Sequence, residues 1–377
     1  MKSRTLYILL IIYLFNPVSA WPASQLEELE KRIRILESTK EKGPLQNSST
    51  ATGISRKFNP AMSFNGLFLG TYNDEGNYDS TKEVRTGLKV QEVEMRLTAN
   101  IDSWLRGDIT LAVEGSTGLE VEEAIVEGVI TRNLSFKTGK FLTSFGKHNQ
   151  LHTHAFPFID LPVVSEEILG EEGLNEVGVG GSYLLPTEWY SEFTLQLLQG
   201  DNTKQFNGPA GSDFAYLIRQ NNLWDLNDET TMELGGSYVY GKNSLAPPSS
   251  FDNETHLAEA DLTIKWKPAG REAYTTTIWQ TEFIGSFREQ TQKGWYTLIK
   301  HQFAKKWWVQ GRYSGYTIPN GPNRGDKNQW SALFAWVPND FSAVRLQYNH
   351  LNQVTADENQ VLLQLNFTMG SHPAHKY

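Results

Sequence analysis

The residues best suited to chemistry in this chain lie between Thr143 and Gly173: His148, His152 and His154, then Asp160, Glu166, Glu167, Glu171 and Glu172. Neutral imidazole beside carboxylate suits zinc and related ions. His152 and His154 are two positions apart, so an extended backbone puts them on one face. His148 can join them only if the segment bends or turns helical. The spacing makes His148, His152 and His154 the candidate metal ligands, with zinc as the ion. The other reading is a polar loop whose histidines are satisfied by neighbouring carboxylates.

Catalysis is not expected. Ser144 and Asp160 flank the three histidines, but no nucleophile motif surrounds them. His301 and His350 each stand alone, without the second and third groups that hold a general base in place.

The segments around this loop alternate with period two. Val93, Met95, Leu97, Ala99 and Ile101 interleave with Glu92, Glu94, Arg96, Thr98 and Asn100. Leu105, Ile109, Leu111 and Val113 interleave with Arg106, Asp108, Thr110 and Glu114. The same holds for Ala260, Leu262, Ile264 and Trp266 against Asp261, Thr263 and Lys265, and for Val344, Leu346 and Tyr348 against Arg345 and Gln347. Each set therefore occupies one face of a strand.

A soluble sandwich also alternates, so connection lengths carry the discrimination. Strands placed at roughly 58–72, 88–101, 104–114, 119–131, 134–142, 174–185, 189–199, 214–223, 229–240, 257–266, 273–284, 294–304, 307–316, 329–337, 341–350 and 360–368 are joined by short turns after even strands. After odd strands the connections are mostly longer. Short turns at one rim and long loops at the other are the signature of an outer-membrane barrel. Trp104, Trp189, Trp224, Trp266, Trp307, Trp308 and Trp336 fall at or beside the short turns, where indole favours the level between lipid tails and headgroups. The expected fold is all-β: a transmembrane antiparallel barrel of about 16 strands. No stretch after residue 20 reaches the about 18 apolar residues of a spanning helix.

On this frame the polar faces line a lumen. The candidate pore-lining residues are Glu92, Glu94, Arg96, Arg106, Asp108, Glu123, Glu127, Asp261, Lys265, Arg312 and Arg345. Both signs occur, which either builds a transverse field or pairs charges between strands. An acidic excess favours cations over anions. The chain as a whole carries a net charge of -9, a poor match for nucleic acid.

The N-terminal part differs from the rest. Lys2 and Arg4, the apolar run Leu6 to Phe15, and Val18-Ser19-Ala20 read as a cleaved signal peptide over residues 1–20. Leu26, Leu29, Ile33 and Leu36 form an a/d seam in a short coiled-coil-like helix over 21–38, a possible homotrimer contact. Ser24 and Glu27 make a capping box. Residues 39–57 read as a linker, and 58–377 as the barrel. The total absence of Cys fits an exported protein without disulfides. An even strand count puts both barrel ends on the periplasmic side.

Several short motifs add a resemblance. They are Phe58-Asn59-Pro60-Ala61, Val121-Glu122-Glu123-Ala124, Gly139-Lys140-Phe141, Phe145-Gly146, Gly173-Leu174-Asn175, Lys305-Lys306-Trp307-Trp308, Leu363-Gln364-Leu365-Asn366-Phe367 and His372-Pro373-Ala374-His375-Lys376. In this order they resemble a family of bacterial outer-membrane proteins labelled zinc-regulated TonB-dependent outer-membrane receptors, or porin-like proteins. The resemblance implies an outer-membrane barrel and recognition of the C-terminal aromatic, here Tyr377, by the barrel-assembly machinery. With only a helix and a linker ahead of the first strand, a barrel without a plug is expected. The joint expectation is a porin-like channel for small solutes or ions. The alternatives are zinc or metal-chelate uptake, and a structural tether that uses the N-terminal coil.

Overall fold

The computed structural model describes residues 60–74, 86–114, 118–208, 210–244, 253–271, 274–318, 325–352 and 357–370. The expected signal peptide, coil, linker, terminal Tyr377 and His372 and His375 lie outside these residues.

Sixteen strands form one closed antiparallel barrel in which every strand pairs with its sequence neighbours and the last pairs with the first. They are β1 Ala61–Asn73, β2 Gly87–Asn100, β3 Leu105–Glu114, β4 Leu119–Thr131, β5 Leu134–Leu142, β6 Asn175–Leu184, β7 Tyr190–Leu198 and β8 Ala215–Asn227. They continue as β9 Thr230–Lys242, β10 Glu254–Trp266, β11 Thr276–Phe287, β12 Gln292–Ala304, β13 Trp307–Ile318, β14 Gly325–Asn339, β15 Ser342–Asn352 and β16 Asp357–Gly370. Ser63 lies opposite Gly370, so the barrel's two ends meet at the rim of the short turns.

The short turns close by side chains that cap the backbone. Asp102 Oδ1 accepts from the amides of Trp104 and Leu105 at 2.7 and 2.9 Å. Thr131 Oγ1 does the same for Asn133 and Leu134, and Asn339 Oδ1 accepts from Phe341 N at 2.9 Å. These Asx- and Thr-turns reverse the chain without a glycine.

The outward face is oily. Met62, Phe64, Phe68 and Tyr72 on β1, and Val361, Leu363, Leu365 and Met369 on β16, are all exposed. Phe68 stacks on Phe367 across the closing seam at 5.8 Å. On the inner side of the same seam Asn65 Nδ2 donates to Asn366 Oδ1 and Thr368 Oγ1 at 3.0 and 2.9 Å. An apolar wall of this extent is stable only against hydrocarbon, and closure leaves no strand edge for lipid to face. Trp189 and Trp224 stack at 6.1 Å, as do Trp307 and Trp336, so indoles band the short-turn rim. Trp308 departs from that expectation: it is buried inside the wall, with Lys300 Nζ 5.7 Å above its ring. Strand alternation sends it to the opposite face from Trp307.

The interior is not wet throughout. Residues 143–174 fold into the lumen as two 3₁₀ turns, η1 His148–Gln150 and η2 Thr153–Ala155, followed by helix α1 Val163–Leu169. Phe145, Phe158, Val164, Ile168 and Leu174 of this loop are buried against inward-facing wall residues Leu217, Val239, Leu257, Ile284 and Leu298. The expectation of a uniformly polar inner face is thereby corrected. Where the apolar side chains of the loop meet the wall, the inward positions at Leu217, Val239, Leu257, Ile284 and Leu298 are apolar too, because there they face protein rather than water.

Candidate functional site

The inward loop is tied around most of the barrel wall. Ser144 N donates to Gln196 Oε1 on β7 at 3.1 Å, and Gly146 N to Ser237 Oγ on β9 at 3.1 Å. Lys147 Nζ pairs with Glu233 on β9. Glu282 on β11 accepts from the amides of Lys147 and His148, each at 3.3 Å, and from Tyr296 Oη at 2.7 Å. Gly146 makes this approach possible: its φ is +60°, and a Cβ there would fall 1.9 Å from Glu282 Oε1.

The middle of the loop hangs on Asp160. Its carboxylate accepts from Arg312 Nη2 at 2.7 Å, Gln329 Nε2 at 2.9 Å, Gln347 Nε2 at 2.7 Å and Asn349 Nδ2 at 2.8 Å. Arg312 also donates to Asp160 O at 2.9 Å, and Arg345 Nη1 to Phe156 O at 2.7 Å. Arg312 and Arg345, expected as pore-lining charges, thus hold the loop's backbone. Lys327 Nζ adds an ion pair to Glu167 at 2.8 Å.

The three histidines separate into two environments. His148 packs on Phe156 at 4.6 Å between ring centres and edge-on to Tyr296 at 6.1 Å. Burial, with Arg312 nearby, pushes its pKa down to about 3, so it is a neutral core residue. The acidic groupings around His152 and His154 do not include it. The turn at η1 aims the His148 ring into the apolar part of the loop.

His152 and His154 lie face to face, ring centres 5.7 Å apart and 8° from parallel. They meet two walls. Glu94 Oε2 on β2 is 2.8 Å from His154 Nδ1 and 3.7 Å from His152 Nδ1. On β4, Glu122 Oε1 is 3.1 Å from His152 Nδ1, and Glu123 Oε2 is 3.0 Å from His152 Nε2. Glu92 joins Glu94 and His154 in a compact set of donor atoms, and Glu94, Glu122 and His152 form another. Burial alone would lower the pKa of His152, but the bonds to Glu122 and Glu123 outweigh it and raise it to about 11.

Glu122 was not among the residues singled out by alternation, and the reason is local. The ladder between β3 and β4 shifts register between Thr110 and Leu111, which pair with Glu123 and Val121 and leave Glu122 unpaired. A β-bulge of this kind lets two successive side chains reach the same neighbour. The adjacent acidic pair at 122–123 was the available signal, since one carboxylate of such a pair should otherwise face lipid.

Most of the remaining candidate residues form charge pairs. Arg96 grips Asp108 with Nε at 2.8 Å and Nη2 at 2.5 Å, and Arg106 reaches Asp108 at 3.0 Å and Glu127 at 3.6 Å. Arg219, which sequence reasoning missed, bridges Glu259 and Asp261 at 3.1 and 2.7 Å. Lys265 shares the inward parity of Asp261 on β10. Lys137 and Lys140 lie on opposite faces of β5. Lys137 lies over the buried Phe141 ring, and Lys140 Nζ bonds Val121 O at 2.9 Å. Ser144 Oγ accepts from Gln196 at 2.9 Å. His301 and His350 bond Thr277 and Asn359.

No family model matches the sequence. The chain is 27% identical over 357 aligned positions to an uncharacterized protein of Aquifex aeolicus, covering 81% of this chain and 74% of the relative. Among solved structures it is similar to OprB of Pseudomonas putida at high pH, with TM-score 0.59, 10% identity and coverage of 82% of this chain and 94% of that one. It is also similar to an anion-selective porin from Comamonas acidovorans, with TM-score 0.57, 12% identity and coverage of 82% and 100%. At these identities the likeness is one of fold: a porin-like outer-membrane barrel. None of these three names mentions zinc or TonB.

Proposed function

We propose that the protein is an outer-membrane channel for passive or weakly selective diffusion of small solutes or ions, narrowed by the inward loop at 143–174. The observation that carries this reading is the loop itself. It enters a closed cylinder and fastens to β7, β9, β11, β13, β14 and β15 inside it. A hollow wall with an oily exterior and paired interior charges suits passage through the lumen. The acidic excess of the inward set, Glu92, Glu94, Asp108, Glu122, Glu123, Glu233, Glu259 and Asp261, biases passage towards cations. Both barrel ends belong on the periplasmic side, and the sequence pattern of Leu26, Leu29, Ile33 and Leu36 suits the contact of a homotrimer. No catalytic role is assigned.

Planar-bilayer recording of the folded, untagged protein tests the reading. Discrete conductance steps with cation-leaning reversal potentials are expected. A folded barrel that conducts no ions would remove it. A second reading, uptake of zinc or a metal chelate, is favoured by His152 and His154 facing acidic walls, and predicts zinc flux through the same pore. The tether reading predicts that deleting 24–38 abolishes envelope attachment while leaving conductance intact.

A further inference from the structure

The cluster at His152 and His154 has the parts of a resident metal centre, arranged so that an ion would join the loop to two strands of the wall. We propose that His152 Nδ1, His154 Nδ1, Glu94 and Glu122, with Glu92 beside them, bind a first-row divalent cation of the zinc class that latches the inward loop to β2 and β4. The inference deepens the metal-linked reading of the same residues, and it holds whether or not zinc crosses the pore.

Three observations support it. The first is the donor set. Two imidazole nitrogens and three carboxylates gather in two overlapping triads that share Glu94, within 4.8 Å in each triad. Nitrogen and oxygen donors in this mix suit zinc and its neighbours better than calcium or magnesium, which prefer oxygen alone.

The second is the orientation of His152. Its Nδ1 faces Glu94 and Glu122, and its Nε2 lies 3.0 Å from Glu123 Oε2. A ligating histidine characteristically donates its other N–H to a carboxylate, which fixes the tautomer and strengthens the ligand. Glu123 is thereby a positioning residue rather than a ligand.

The third is unspent bonding capacity. Glu92 is 2% exposed, yet its Oε1 is buried without a hydrogen-bond partner, and Glu122 Oε2 is in the same state. Buried carboxylate oxygens are costly when unmatched. A cation beside them removes that cost, and the four carboxylates at 92, 94, 122 and 123 supply the charge to hold it.

Zinc titration of the full-length, untagged, chelator-treated protein in detergent micelles, followed by calorimetry, tests the proposal. At least one equivalent is expected per barrel, with slower amide exchange over residues 151–155 once zinc is bound. The His152→Ala/His154→Ala double variant should lose that binding, and His301→Ala, on β12, should keep it. Heat-modifiable gel mobility reports whether each variant has folded. If the double variant does not fold, Glu123→Gln carries the test: its zinc affinity should fall about 10–100-fold. A folded wild-type barrel that binds no zinc, or equal affinity in Glu123→Gln and wild type, overturns the latch. Zinc flux without stoichiometric binding also overturns it while leaving the uptake reading intact.

Discussion

Asp160 Oδ1 lies 2.7 Å from Arg312 Nη2, joining the middle of the inward loop to the inner wall at β13. The Arg312 side chain is 1% exposed, whereas that of Asp160 is 29% exposed, so it is the guanidinium that water cannot reach. Removing the carboxylate takes the charged partner from a buried guanidinium that keeps Gln329, Ser331 and the Asp160 carbonyl, a loss on the order of 1–3 kcal/mol. Asp160→Ala is expected to free the distal half of the loop. Single-channel recording should show larger and noisier steps than wild type, and limited proteolysis should cut near residue 160. Unchanged conductance in this variant would show that the loop does not set the constriction.

Gly146 predicts a second weak point. Ala there must adopt φ +60°, which costs about 1–2 kcal/mol. Its Cβ must also displace Glu282, which is held by Tyr296 Oη and two loop amides. Gly146→Ala should lower the thermal midpoint of loop undocking while the barrel's strand signal persists. The comparison is between loop proteolysis and far-ultraviolet circular dichroism on the same sample.

His148 gives the docked loop a pH dependence. Its folded pKa of about 3 lies below the ordinary histidine value of about 6.5. Above pH about 6.5 the residue is neutral both docked and free and contributes no slope. Between about 6.5 and 3 the free loop takes up a proton that the docked loop refuses, so docking weakens by about 1.4 kcal/mol per pH unit. Arg312, Asp160, Glu282 and Tyr296 face the group; Arg312 opposes its protonation and Asp160 favours it. Without a bound cation His152 is protonated both docked and free across this window and adds no slope. The amide protection factor over 146–150, taken relative to the intrinsic exchange rate at each pH, should fall from pH 7 to pH 5 in wild type and be flatter in His148→Phe, which keeps a ring against Phe156.

Charge selectivity is testable at β3. Asp108 pairs with both Arg96 and Arg106, and Arg106 also faces Glu127. Asp108→Asn removes one negative charge from beside two cationic side chains, and the reversal potential under a salt gradient should move towards anion preference. A shift in the opposite sense would remove the assignment of these residues to the ion path.

The barrel was legible in the sequence because its cause is local. Alternation at Val93 to Ile101, the capped turn at Asp102 and the unequal connections each follow from the strand's two-residue period and from lipid outside the wall. The loop between β5 and β6 was legible as a place for chemistry, from its histidines and acids. Which of them meet was not. His148 and His152, four residues apart, diverge because η1 turns one ring into the apolar packing. Glu122 joins Glu123 on one side only through a register shift against β3, which no single-strand pattern reveals. The inward apolar positions Leu217, Val239 and Leu257 looked like exceptions to a wet lumen until α1 and its neighbours were seen packed on them. Amino-acid order alone determined the cylinder, because each strand's pattern answers to its own immediate surroundings. The tertiary structure decided how the cylinder is filled, because contacts between a loop and distant strands depend on closure, register and turn geometry acting together.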